Sequence, residues 1–322
     1  MLFSLAFGVL VMLGLSIYGD LPSVFAAFQA FDWRLAPAAL ALTLVNYGLR
    51  YVKWRYYLGL IGAGHTSERV SALTFLSGLS MVLTPAKIGE WLKSYLLRDL
   101  AGVPVSRSAP VVLAERLTDG IAMVLLAVAG LIVYDVGREI VAGISLVLIA
   151  ILVVSQHKRM SGAIIRVLTL LPWLRRKVNE LETLRESSRL LFSIRSLAVA
   201  IGLGVISWGA ECVAFFLILV GLGLTPSPSL LLQATFILAV ANLVGAVSML
   251  PGGLAAAEGS IAGLLVLLKV TQTATVAAAA TLLIRLATLW FGVAVGAVAL
   301  VLVGRLTRLS TIPAGPGEAT AS

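Results

Sequence analysis

Leu83-Thr84-Pro85-Ala86-Lys87-Ile88-Gly89-Glu90 and Leu250-Pro251-Gly252-Gly253-Leu254-Ala255-Ala256-Ala257-Glu258 interrupt otherwise apolar sequence at two places. The first lies between Val70–Leu83 and Ile88–Leu97, each shorter than the ~20 helical residues a hydrocarbon core requires. The second divides another short apolar pair, Leu230–Leu250 and Leu254–Lys269. Pro85 and Pro251 lack an N–H and suit the first turn of the helix that follows. Gly89, Gly252 and Gly253 allow tight backbone at the two breaks. Unpaired backbone at membrane depth is tolerated only where protein buries it or a wet cavity takes it up. The two segments therefore read as helical hairpins whose broken tips meet inside the protein.

Working outward, the apolar runs Leu2–Tyr18, Leu35–Tyr51, Ala109–Tyr134, Ile140–Ser155, Leu197–Leu222 and Ala274–Val303 each read as a full span. Leu2–Ile17 lacks a basic start and is followed by no small-x-small cleavage site, which favours a retained helix over a signal peptide. Of 322 residues 60% are apolar and 12% charged, and mean hydropathy is +1.03. That composition cannot supply the charged shell of a soluble domain. The expected fold is an all-α polytopic membrane protein. It has about six transmembrane helices and two oppositely oriented re-entrant hairpins, arranged as an inverted pseudo-repeat. One domain covers 1–305, with halves of about 1–135 and 140–305, and a disordered cytoplasmic tail at 306–322.

The Lys/Arg bias sets the orientation. Arg50, Lys53 and Arg55 place the end of the second span inside, as do Arg98 and Arg107 after the first hairpin. Asp135, Arg138 and Glu139 form an outer loop, and Thr225-Pro226-Ser227-Pro228-Ser229 is uncharged and outer. Arg305 and Arg308 bring the C-terminus inside. Both termini are thus cytoplasmic in an inner membrane, and the two hairpins enter from opposite sides. The basic stretch 157–195 carries Leu174, Val178, Leu181 and Leu184 at helical spacing, the pattern of an amphipathic helix on the cytoplasmic leaflet.

The halves share more than breaks. Arg116 follows Glu90 by 26 residues, and Arg285 follows Glu258 by 27. Trp54 precedes the first hairpin and Trp208 the second. Short, Pro/Gly-interrupted segments at matching places in inverted halves point to a transporter's binding site. Glu115, Arg116, Asp119, Glu211, Glu258 and Arg285 fall within or beside spans, where a mid-helix charge costs about 2.5–3.5 kcal/mol to insert. They are expected to face inward and pair, with Arg116 and Asp119 three apart on one helix face. Arg116 and Arg285 are the candidates for gripping a lipid phosphate, because guanidinium donates in a bidentate fork. Glu90 and Glu258, in the first turn of the second half-helices, either stabilise the helix dipole or balance charge in the site. Lys87, Glu90 and Lys93 form a charged stripe at intervals of three.

Several function classes fall away. Cys212 is the single cysteine, and His65 and His157 sit in polar connections, so thiol–imidazole catalysis and Cys-based metal binding have little to work with. No metal or cofactor is expected, and no Gly-x-x-x-x-Gly-Lys-Ser/Thr string occurs. The net charge of +9 clusters between apolar runs as topology requires, which argues against a nucleic-acid partner.

Arg50-x-x-Lys-Trp54, Pro85-Ala-Lys-Ile-Gly-Glu90, Glu115-Arg116-x-x-Asp119 and Leu250-Pro-Gly-Gly-Leu-Ala-Ala-Ala-Glu258 resemble the membrane domain of the lysylphosphatidylglycerol synthase family. The likeness covers roughly residues 1 to 305. In bifunctional members this domain moves an aminoacylated phospholipid between leaflets, and a separate soluble domain makes it. Stand-alone relatives are associated with polyprenyl-linked sugars and hopanoids. The resemblance implies a flippase-like translocator of an anionic phospholipid or isoprenoid-linked lipid, without the synthase domain. Two alternatives remain open: a scaffold docking a lipid-modifying enzyme through 157–195, and a membrane enzyme acting on lipid phosphate.

Overall fold

The structure is a computed structural model that describes residues 2–134, 136–156 and 178–310. Its elements are α1 (Leu2–Tyr18), α2 (Leu21–Ala30), α3 (Ala36–Leu60), α4 (Glu68–Ser80), α5 (Leu92–Ala101), α6 (Val105–Val133) and α7 (Arg138–Gln156). They continue with α8 (Val178–Leu191), α9 (Ile194–Gly221), α10 (Pro228–Val247), α11 (Ala256–Leu267), α12 (Ala274–Arg285) and α13 (Phe291–Ser310). A five-residue π-helical turn, Leu286–Trp290, joins the last two. Among the described residues every regular element is helical.

Local chemistry accounts for where the helices start and stop. Ser67, Ser227 and Thr273 each accept a hydrogen bond from the backbone N–H three residues on, capping α4, α10 and α12. Gly102 ends α5 in the left-handed conformation.

Among the described residues four helices qualify as membrane spans by length and apolar composition: Val105–Val133, Ile194–Gly221, Pro228–Val247 and Ala274–Arg305. This differs from the expected six. Leu2–Tyr18 does not stand alone: α1 turns by 92° into the unanticipated α2, and the two together make at most a fifth, broken span. The 25-residue α3 is long enough, but Asn46, Arg50 and Lys53 lower its hydropathy, and all three are buried. The first arm of the second hairpin, expected over Leu230–Leu250, is α10 at Pro228–Val247, and its 20 residues are long and apolar enough to count as a span rather than a short arm.

The centre of the molecule is α3 crossing α9, pinned where Asn46 Nδ2 donates to the Ser207 carbonyl at 2.9 Å. Around it the hairpins exchange partners. The arm α4 packs along α13, and the corresponding arm α10 packs along α6. The first arm of each hairpin therefore lies against the last helix of the opposite half. Between lipid-facing helices association depends on close packing rather than water exclusion, which favours small residues. Ala277, Ala278, Ala279 and Ala280 of α12 are accordingly all buried. In Gly292-x-x-x-Gly296, a Cβ on Gly296 would strike the Ser80 backbone nitrogen and come within 2.8 Å of the Leu76 carbonyl of α4.

Both breaks lie where expected, with different local form. Thr84 leaves helical geometry, and residues Pro85–Trp91 form a 3-10 stretch before α5 begins at Leu92. Pro85 therefore starts a 3-10 turn rather than an α-helix. Pro251–Gly253 is likewise a 3-10 turn, and α11 begins only at Ala256. Gly252 and Gly253 both hold φ near +65° (62° and 67°), which a Cβ would strain. The two breaks touch: Met81–Leu83 and Pro85–Trp91 pack on Pro251–Gly253. Leu83 and Leu254, one from each, share a buried cluster with Val293.

The segment 157–195 is described only from Val178. Its helix α8 packs mainly against α6, and its last residue Leu191 and the following Phe192 are buried. Leu174 lies outside the described residues.

Candidate functional site: a buried charge cluster at the hairpin junction

The repeated glutamate–arginine spacing closes into ion pairs in both halves. Glu90 Oε2 meets Arg116 Nε at 3.2 Å, and Glu258 Oε1 meets Arg285 Nε at 2.5 Å. Each pair ties a hairpin's broken end to the helix that follows it. Arg285 also donates from Nη2 to the Gly252 carbonyl at 2.9 Å, closing the second break from inside. At the first break Thr84 performs the closure: its hydroxyl donates to the Met81 carbonyl and accepts the Gly89 N–H, both at 2.7 Å.

Asp119 is the hub. It pairs with Lys53, with Arg116 at 3.4 Å and with Arg50 at 3.8 Å. Lys93 pairs with Glu115 and sits 4.8 Å from the Trp54 ring centre, a cation–π contact. Among the described residues the cluster gathers five cations (Arg50, Lys53, Lys93, Arg116, Arg285) and five carboxylates (Glu90, Glu115, Asp119, Glu211, Glu258). Every member except the partly exposed Arg116 is buried. Charges so deep persist because they satisfy one another; removing one partner leaves the other stranded.

Two cavities open onto this cluster. One of about 90 Å³ is lined by Tyr47, Arg50, Arg116, Trp208, Glu211 and Arg285, among others. A second of about 320 Å³ is lined by Glu90, Trp91, Arg116, Asp119 and Asn242, among others. Arg116, Trp208 and Asn242 line both, so the two adjoin. Three buried donors here form no hydrogen bond among the described residues: Arg50 Nε, Trp208 Nε1 and Arg116 Nε, the last facing Glu90 only as an ion pair. Arg50 also lies over the Trp208 ring, 5.3 Å from its centre. Buried donors are nearly always satisfied, so orphans beside a cavity point to an oxygen-bearing ligand.

Of the candidate residues, Arg116, Glu90, Asp119, Glu211 and Arg285 meet at these cavities. Glu258 sits behind Arg285, and Glu115 pairs with Lys93 away from them. Glu90 lies within the 3-10 stretch, one residue before its end, instead of opening an α-helix, whereas Glu258 does occupy the first turn of α11. The Lys87 side chain lies outside the described residues. Lys93 is no solvated stripe residue; it is 3% exposed.

Arg50 and Lys53, which serve above as markers of a cytoplasmic loop, belong to the site instead. A signal for them existed: Thr43, Asn46, Tyr47, Arg50, Lys53, Trp54 and Tyr57 recur at intervals of three and four. That is one face of a helix, and polar residues on one face of a span turn inward. Trp208 and Asn242 carried no such pattern.

The family model described as the lysylphosphatidylglycerol synthase TM region matches residues 1–296. A "UPF0104 membrane protein" of Methanothermobacter thermautotrophicus is 26% identical over 309 residues, covering 91% of this chain and 90% of that protein. No solved structure matches. With four apolar spans and this match over nearly its whole length, the chain is a multi-pass membrane protein and belongs to the lysylphosphatidylglycerol synthase transmembrane-region family.

Proposed function

We propose that this protein is a flippase-like translocator, carrying an anionic phospholipid or an isoprenoid-linked lipid across the cytoplasmic membrane. One observation carries the reading. Arg50, Arg116 and Arg285, from three different helices, converge on a single small cavity beside the contact between two chain breaks. Guanidinium groups grip phosphate through paired N–H donors, and the orphan donors of Arg50 and Trp208 add hydrogen bonds a phosphate oxygen would accept. The hairpins enter from opposite leaflets in this reading, and the cavity opens to each in turn as their arms shift against α13 and α6. Both termini then lie in the cytoplasm. Glu90 and Glu258 are held by arginines, which fits charge balance better than acid–base chemistry.

The test is translocation of a fluorescent phosphatidylglycerol in proteoliposomes, followed by dithionite quenching. The paired neutralisations Glu90→Gln with Arg116→Gln, and Glu258→Gln with Arg285→Gln, remove a guanidinium without stranding a carboxylate. Each is expected to slow translocation at least ~10-fold, a loss of about 1.4 kcal/mol of transition-state stabilisation. Rates equal to wild type in both would remove the proposed site.

A further inference from the structure

The remaining buried carboxylate is Glu211, on α9. Glu90, Glu115, Asp119 and Glu258 each form an ion pair, whereas Glu211 forms none among the described residues. It is 6% exposed, and it lines the 90 Å³ cavity with Arg50, Arg116 and Arg285. The groups facing it come from four other helices. Tyr47 and Arg50 lie on α3, Arg116 and Asp119 on α6, the neutral Asn242 on α10 and Arg285 on α12. Trp208 and the buried Cys212 thiol share its own helix.

The charge balance then turns on one proton. With Glu211 ionised, five carboxylates offset five cations and the cluster is neutral. With Glu211 protonated, one positive charge is left over at the cavity. A phosphodiester brings one negative charge. Beside an ionised Glu211 it would put two anions in a space of about 90 Å³ and leave a net charge in a medium of low polarity. Like charges sharing a site do not both stay ionised.

We infer that Glu211 is the proton site of the translocator: its carboxylate takes up a proton from water as the anionic headgroup enters and releases it as the headgroup leaves. Cargo and proton then cross together, and a pH gradient drives the lipid. No bond of the lipid is made or broken. The inference rests on the cavity binding a lipid anion, as proposed above.

The experiment is calorimetric titration of the detergent-solubilised full chain with dihexanoyl phosphatidylglycerol, whose phosphodiester, a strong acid, stays a monoanion throughout the neutral range. Measuring the heat in two buffers of different ionisation enthalpy counts protons taken up per lipid. Wild type is expected to take up about one proton above the titration midpoint of Glu211, with Kd rising about tenfold per pH unit there, by linkage. Glu211→Gln, a fixed neutral mimic, is expected to bind with no proton uptake and a flat pH profile, and Glu211→Asp to keep the uptake. Binding by wild type without proton uptake, or an unchanged proton count in Glu211→Gln, would overturn the inference and leave lipid binding intact. The wild-type count decides even if a variant fails to fold. No binding at any pH would sink both readings.

Discussion

Arg285 and Glu258 stand 27 residues apart in the chain and 2.5 Å apart in space, and the same guanidinium reaches the Gly252 carbonyl at 2.9 Å. One side chain thus holds the second break, the start of α11 and the end of α12 in a single arrangement. The Arg116–Glu90 pair makes the matching link in the first half at 3.2 Å. The recurrence gives the two breaks a common mode of support, although one is closed by an arginine and the other by Thr84.

Removing the arginine alone is therefore expected to be far worse than removing the pair. Arg285→Ala strands the Glu258 carboxylate and the Gly252 carbonyl, for a loss of about 3–5 kcal/mol. Glu258→Gln with Arg285→Gln is expected to lose clearly less. Chemical unfolding in mixed micelles, followed by circular dichroism, measures the difference.

Trp208 separates binding from stability. Its indole N–H is buried without an acceptor among the described residues, so Trp208→Phe removes an unsatisfied group and is expected to leave stability unchanged or slightly raised. Binding of dihexanoyl phosphatidylglycerol is expected to weaken roughly five- to tenfold, the worth of about one hydrogen bond. Titration calorimetry and unfolding on the same sample check both halves of the statement.

Contact between α4 and α13 depends on Gly296. A single methyl group there overlaps the α4 backbone, and Gly296→Ala is expected to cost about 1–3 kcal/mol. Gly143 in α7 has open space around its would-be Cβ, so Gly143→Ala is expected to be neutral or to stabilise by about 0.5–1 kcal/mol. Thermal unfolding of the two variants side by side makes the comparison.

Opposed insertion of the hairpins predicts opposite labelling. Cys212 is buried, so introduced cysteines report with little background. Thr225→Cys, before α10, is expected to react with an impermeant maleimide in right-side-out vesicles. Arg107→Cys, early in α6, is expected to react only in inverted ones. Labelling of both from one side would undo the inverted arrangement.

Where the chain breaks, and which charges recur, can be read from residue order alone. Proline lacks a donor wherever it stands, and glycine tolerates positive φ in any fold, so Pro85 and the Pro251–Gly253 run were legible as breaks without neighbours. The Glu90–Arg116 and Glu258–Arg285 spacings were legible for a similar reason. A charge in an apolar span needs a partner, and each half offered one at nearly the same remove, 26 and 27 residues. Which charges belong to the cavity follows from helix packing. Lys53 and Asp119 lie 66 positions apart, and they meet because α3 continues to Leu60 and crosses against α6. Near a span end, Lys or Arg ordinarily reaches for the interface, so Arg50 and Lys53 read as loop charges until that crossing buried them. Glu211 gained its meaning in the same way. Its isolation is a property of the groups around it, brought from other helices by packing that no local pattern encodes.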